Sequence, residues 1–309
     1  MPSPHLPPTI DPVAAARWQR LSAGGEQPAS LQAPWLHEEV GTRMQERLQW
    51  IKTPPAAWAH WEPVSGGLQT HGMISQRYPH SACFMQFSDV DIGKLAIKNI
   101  VKPLWNPARW RTAAAQLGTP SDAAVQLVWA NMLLHTQANP LALIGQWQRA
   151  LSVNGFLMFS CLGPDTVREL RGLYGELGLG PCGHTFTDMH DWGDMLVQSG
   201  FAEPVMDMER ITLSFANPER ALQELRGLGR NLHPQRFAGL RGRGYRARLL
   251  AAMQERWGAA SQDGTFTLTF EVIYGHAYKP APRIKVSSES SVSMQDMRAM
   301  LERGKSASA

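Results

Sequence analysis

Cysteine is scarce in this chain: Cys83, Cys161 and Cys182 stand far apart among 309 residues. No CxxC and no Cys/His spacing accompanies them, which excludes a cysteine-held zinc or iron–sulfur site; no metal is expected. An odd, scattered set predicts reduced structural thiols. Long apolar runs are also missing. None reaches the roughly 18–20 residues of a membrane span. The opening MPSPHLPPTIDP carries prolines where a secretory signal needs continuous apolar residues. A cytoplasmic location and no membrane partner are the expectation. Neither sign of charge dominates either, and a net charge of +4 is too small to point to nucleic acid. There is no internal repeat.

What is present is the composition of a globular protein, 43% hydrophobic and 18% charged. The length allows one elaborated domain or two small ones, and one domain with tails is the preferred reading. Residues 1–57 read as a helical extension broken by Pro and Gly. One helix is expected over Val13–Leu21 and another over His37–Ile51, where Val40, Met44, Leu48 and Ile51 keep helical spacing. From 58 to 280 the texture is α/β. Strands are expected at Ala82–Phe87, from Val125 onward, at Phe156–Cys161, Val205–Phe215 and Phe266–Tyr278. Helices are expected at Pro140–Leu151, Thr166–Leu177 and Asp188–Ser199. Trp50, Trp58 and Trp61 are expected in the core or under a lid. The stretch of about 217–258 is a helical insertion before the last strand, longer than a connection requires and therefore a lid or docking surface. Residues 281–309, rich in Ser and Lys, are expected to be disordered.

The run VQLVWANMLLHTQANPLALIGQWQRALSVNGFLMFSCLGPDT (125–166) resembles the centre of the class I S-adenosylmethionine-dependent methyltransferases. In that group a strand ends in small-Asn-Leu, here Ala130-Asn131-Met132, and an Arg-x-Leu-x-x-Gly-Gly-like turn follows, here Arg149 to Gly155. The continuation is more specific. Phe159-Ser160, Gly163-Pro164-Asp165-Thr166, Phe186, Asp188-Met189-His190-Asp191, Gly200-Phe201, Phe270 to Gly275 and Lys279-Pro280 are similar, in order and spacing, to the malonyl-acyl-carrier-protein O-methyltransferases of biotin synthesis. The similarity covers roughly residues 12–280 and is strongest from Asp122. It implies a doubly wound seven-stranded Rossmann-like sheet with N-terminal helices. It also implies S-adenosyl-L-methionine as cofactor, malonyl-loaded acyl carrier protein as partner, and methylation of the malonyl carboxylate on the way to pimelate. A carboxylate is already a competent nucleophile, so positioning and water exclusion are needed and no general base is expected.

The resemblance also sets out a site. The acidic-x-Gly-x-Gly-x-Gly cofactor loop falls on Glu62-Pro63-Val64-Ser65-Gly66-Gly67-Leu68, where one motif glycine stays in register and Val64 and Leu68 stand at the other two. Glu62, Ser65, Gly66 and Gly67 are the cofactor candidates here, with Ala130 and Asn131 at the later strand end. The acidic position that would hold the ribose falls on Gln86 or Phe87, so Phe87 and Asp89 are candidates, with Asp91 nearby. The acidic position opening the fourth strand falls near Gln126, with Asp122 upstream. His135, His184, Arg226, Arg230 and Arg236 are candidates for holding substrate or carrier protein. Asp188 and His190 either line the acyl side or, for Asp188, cap a helix. Seven arginines and no acid lie between Arg226 and Gln254. They can dock an acidic carrier protein or form a solvated helix face; RNA is unlikely because no RNA-module pattern accompanies them. Two functions stay open: an enzyme with a rebuilt cofactor loop, or an inactive methyltransferase fold that binds a partner through its basic insertion. Methylation of another small acid shares the fold argument.

Overall fold

A computed structural model of the chain describes residues 10–24, 31–100, 113, 115–258 and 266–282. The expected tail falls outside the described residues from 283 onward. The described residues form a seven-stranded sheet in the order β3-β2-β1-β4-β5-β7-β6. Its strands are β1 (Ala57–Trp61), β2 (Ala82–Gln86), β3 (Ala115–Leu117), β4 (Val125–Ala130), β5 (Leu151–Leu162), β6 (Ala202–Phe215) and β7 (Phe266–Tyr278). The first five are parallel, and β7 runs antiparallel between β5 and β6. The chain winds outward from β1 to β3, then returns to the other side of β1 with β4. That reversal opens a crevice at the carboxyl ends of β1 and β4, where open α/β sheets bind ligands.

Two apolar cores cover the two sheet faces, and alternate residues of each strand supply them. On β4 and β5, Leu127, Trp129, Phe156 and Met158 enter one core, while Val128, Ala130, Leu157 and Phe159 enter the other. This two-faced burial explains why both strands read as unbroken apolar runs. β6, at the edge, alternates instead. Gly275 on β7 faces Phe159 on β5, and a Cβ there would stand 2.1 Å from the ring, so only glycine lets these strands meet.

Helices α1 (Pro12–Gly24) and α2 (Trp35–Glu46) precede the sheet, and a 3₁₀ turn (Arg47–Trp50) follows α2. The short α3 (Pro63–Gly66) leads into α4 (Leu68–Arg77), and α5 (Val90–Ile100) follows β2. Asn139 caps α6 (Pro140–Ala150) by accepting from the Ala142 amide, with Pro140 in the first turn. α7 spans Arg168–Glu176 and α8 Met189–Gln198. Between β6 and β7 lie α9 (Pro218–Leu228) and α10 (Arg243–Gly258). Trp58 and Trp61 are buried as expected, but Trp50 is 76% exposed, a correction to the reading that packed it inside. Trp50 stands two residues past the buried Leu48, about 200° round a helix from the face that Val40, Met44 and Leu48 share, so its ring points away from the core. Among the described residues no helix is long and apolar enough to cross a membrane.

Candidate functional site

Two cavities lie above the carboxyl ends of the strands. The first, of about 380 Å³, sits over β1, β2 and β4 and is lined by Glu62, Val64, Ser65, Phe87, Asp89 and Met132, among others. The second, of about 580 Å³, lies between the main sheet and the insertion, with His135, His184, Arg226, Arg230 and Arg236 on its wall. Trp18, Thr136 and Leu228 line both, so the cavities meet there.

Their electrostatics are opposite. Among the described residues, the smaller cavity is lined by Glu62 and Asp89 and by no Lys or Arg. The larger is lined, among the described residues, by six arginines, the three named and Arg171, Arg241 and Arg246, and by no Asp or Glu. Glu62 has a left-handed backbone (φ 51°), so the chain turns sharply off β1 and its carboxylate accepts from the Ser88 amide at 2.5 Å. Burial pushes its pKa up, against the hydrogen bond from Ser88, and no ion-pair partner for it occurs among the described residues. Asp89 Oδ1 accepts from the Asp91 and Ile92 amides and so opens α5; Asp91 pairs with Lys94 at the surface.

The rest of the cofactor loop is held by the N-terminal helices. Glu38 on α2 accepts from the Gln69 and Thr70 amides and the Thr70 hydroxyl, all at 3.1 Å, at the start of α4. Gly67 (φ 114°) leaves room for it, since a Cβ there would be 2.5 Å from the Glu38 carboxylate. His37 Nδ1 donates to Ser65 O at 2.7 Å. Asn131, 1% exposed, donates to His37 O and Gly66 O at 2.7 and 2.5 Å and accepts from Ser160 Oγ at 2.6 Å. Its amide is therefore spent on backbone. Of the eight residues singled out for cofactor, Glu62, Ser65, Phe87 and Asp89 face the cavity together; Gly66, Gly67, Ala130 and Asn131 stand behind its wall. Glu38 was not among them. Its partners lie some 31 residues away, and no local pattern announces such a contact.

Beneath Gly66 a buried pair, His60 and His71, meets Nδ1 to Nδ1 at 3.2 Å. Burial lowers both, His71 to about 4, so the loop rests on neutral imidazoles. On the larger cavity, His184 Nε2 donates to His135 O at 2.7 Å, and burial lowers His184 to about 4. Asp188 caps α8 through the His190 amide, and neither residue lines this cavity. Gln126 accepts from the Ala57 amide, tying β4 to the start of β1.

The arginines divide by partner. Arg236 pairs with Asp11 at 2.5 Å. Arg241 donates to Leu179 O and lies 4.1 Å over the Tyr245 ring. Arg230 donates to the Arg226 and Gly229 carbonyls and stacks 4.8 Å from the Trp18 ring. Partial burial, then the charge of Arg226, lowers its pKa. Neither Arg226 nor Arg230 has a carboxylate partner among the described residues.

No established family profile matches the chain. Solved structures agree on the fold: a candidate methyltransferase from Bacillus halodurans aligns with a TM-score of 0.51 at 14% identity, covering 79% of this chain and all of that one. A [4+2]-cyclase aligns at 0.50, also 14% identical, over 89% of this chain and 100% of that one. The fold alone therefore fixes no reaction. Sequence relatives are more specific. The malonyl-[acyl-carrier protein] O-methyltransferase of Gallionella capsiferriformans (strain ES-2) is 38% identical over 256 residues, 81% of this chain and 86% of that protein. Those of Methylovorus sp. (strain MP688) and Laribacter hongkongensis (strain HLHK9) are 34% and 33% identical, over 89% and 80% of this chain and 91% and 84% of theirs. With identity of this level across nearly the whole fold, the chain belongs to the malonyl-[acyl-carrier protein] O-methyltransferase family.

Proposed function

We propose that this protein transfers a methyl group from S-adenosylmethionine to the free carboxylate of malonyl-acyl carrier protein, in the cytoplasm. The observation that carries the reading is the meeting of an acidic cavity with a basic one at Trp18, Thr136 and Leu228. The reaction joins a cation to an anion, and each cavity has the charge to hold one of them.

The smaller cavity fits the cofactor's nucleoside half: Phe87, Ile92 and Met132 offer an apolar slot, and Asp89 keeps one carboxylate oxygen for ribose hydroxyls. At the amino-acid half, Glu38 already occupies the amides that open α4, so Glu62 and Ser65 remain to hold the ammonium. When bound, the cofactor supplies an electrophilic methyl on sulfur. The chain's own task is binding and orientation. Arg226 and Arg230, without a carboxylate partner among the described residues, hold the acceptor carboxylate, and Trp18 closes the junction against water. Arg243 and Arg246, exposed on α10, extend the positive field toward an acidic carrier protein.

Calorimetric titration with S-adenosylhomocysteine tests the cofactor half, and assay of malonyl-acyl carrier protein tests the whole. Micromolar binding that weakens in Glu62→Gln, with methyl transfer, is the expected result. A folded protein that gives no heat overturns the enzyme reading and leaves the basic cavity as a docking site without chemistry.

A further inference from the structure

The rim of the larger cavity holds two large apolar side chains in solvent. Phe237 is 57% exposed and Leu240 101%, and both line the cavity beside Arg246. The loop that presents them is braced from within. Arg241 donates to Leu179 O at 2.7 Å, and its guanidinium lies 4.8 Å from the Phe237 ring and 4.1 Å from the Tyr245 ring. Directly after the loop, Arg243 and Arg246 are exposed on α10 and have no ion-pair partner among the described residues. A single exposed leucine is ordinary on a protein surface. Two apolar side chains held together between a cavity and partnerless cations have the make-up of an interface, apolar at its centre and polar at its rim.

We infer that loop 237–240 with Arg243 and Arg246 is the seat of the carrier protein, which meets it with an apolar side chain ringed by carboxylates beside the root of its acyl arm. This rests on reading the basic cavity as the acyl side, and it adds a short-range apolar contact to the long-range field of the arginines. Charge selects this occupant. A second copy of the chain, seated symmetrically on the same loop, would set the same arginines against each other. From this seat the arm enters past Leu240 and meets Tyr174 and Tyr245, whose hydroxyls lie 2.5 Å apart. One hydroxyl hydrogen makes that bond and the other is left to donate to a carbonyl of the arm. Arg226 and Arg230 wait further along the same wall.

The test is fluorescence anisotropy of labelled malonyl-loaded carrier protein titrated with the full chain, without cofactor. Leu240→Asp should weaken binding at least tenfold, as a leucine's buried area requires. Leu240→Ala should weaken it less, in the same direction. Arg243→Glu with Arg246→Glu should weaken it too and flatten its dependence on salt. Because Leu240 is wholly in solvent, its variants should keep the unfolding midpoint and the affinity for S-adenosylhomocysteine. Carrier affinity unmoved by Leu240→Asp overturns the inference, as does no carrier binding by the unaltered protein. Sedimentation showing a dimer that Leu240→Asp dissolves also overturns it, since a second copy then covers the loop. Leu240-dependent carrier binding without methyl transfer would sink the proposed reaction and leave the seat standing; methyl transfer indifferent to Leu240 would do the reverse.

Discussion

The two cavities differ less in size than in how their charges are settled. Around the smaller one, polar groups are satisfied inside the protein: Glu38 by the start of α4, Asn131 by three partners, Asp89 by the start of α5. Glu62 is the one of these whose pKa burial pushes up, and it has no ion-pair partner among the described residues. Around the larger one, Arg226 and Arg230 have no carboxylate partner among the described residues. Pre-settled groups make a rigid wall, whereas unsettled ones wait for a ligand to settle them. The first cavity is therefore shaped by the fold, and the second is completed by what enters it.

Reversing charge in the second cavity is the strongest way to break this contrast. Arg226→Glu with Arg230→Glu is expected to lower kcat/KM for the acyl acceptor by about two to three orders of magnitude, as charge-assisted contacts of roughly 1.5–3 kcal/mol each are lost and made repulsive. S-adenosylhomocysteine affinity, read by calorimetry, should stay within a few-fold; a parallel collapse would mean that the cavities are not separable. Next in size, Asn131→Leu removes the knot joining α2, the loop and β5. A loss of about 2–4 kcal/mol in urea unfolding is expected, since buried partners are left unmade. A change below 1 kcal/mol would show that the wall is held elsewhere. Glu62→Gln should weaken S-adenosylhomocysteine about tenfold and leave unfolding free energy nearly unchanged.

A graded effect comes from acid. His71 backs the first cavity and His184 the second, each with a folded pKa near 4 against an ordinary 6.5. The unfolded chain takes up their protons first as pH falls. Stability from keeping them neutral is therefore complete above about pH 6.5 and is lost between 6.5 and 4, at up to about 1.4 kcal/mol per pH unit for each. His184→Asn should remove its share of that slope, measured by unfolding at stepped pH. A slope unchanged in the variant would place the titration on other groups. Smallest of all, Trp50→Ala should move the unfolding midpoint hardly at all, within about 0.5 kcal/mol, because the ring is already in solvent.

How much of this could be read in advance depended on range. The doubly covered strands β4 and β5 announce themselves by apolar runs, β7 by its β-branched and aromatic residues, and α6 and α8 by Asn139-Pro140 and Asp188 at their starts. β3 does not: with three residues, two of them exposed, it has no period to detect. The α5 helix, after a strand that ends in Gln86 rather than an acid, went without a signal strong enough to name. In the site, residue types were legible and directions were not. Asn131 stands at the expected strand end, but its amide turns to the carbonyls of His37 and Gly66, a choice made by packing over 94 and 65 residues of separation. The arginine cluster was visible as composition; its division into paired, stacked and partnerless members depends on Asp11, Trp18 and Tyr245 coming near in space.

The start of the chain answers to the insertion as well as to the loop. Ile10 and Ala15 pack on Leu232, the Asp11 amide donates to Leu232 O, Asp11 pairs with Arg236, and Trp18 stacks with Arg230. Two stretches more than 200 positions apart thus form one inheritable part. A chimaera that borrows a relative's insertion inherits half a joint unless it borrows the first helix too, so acceptor preference should travel between family members in paired segments.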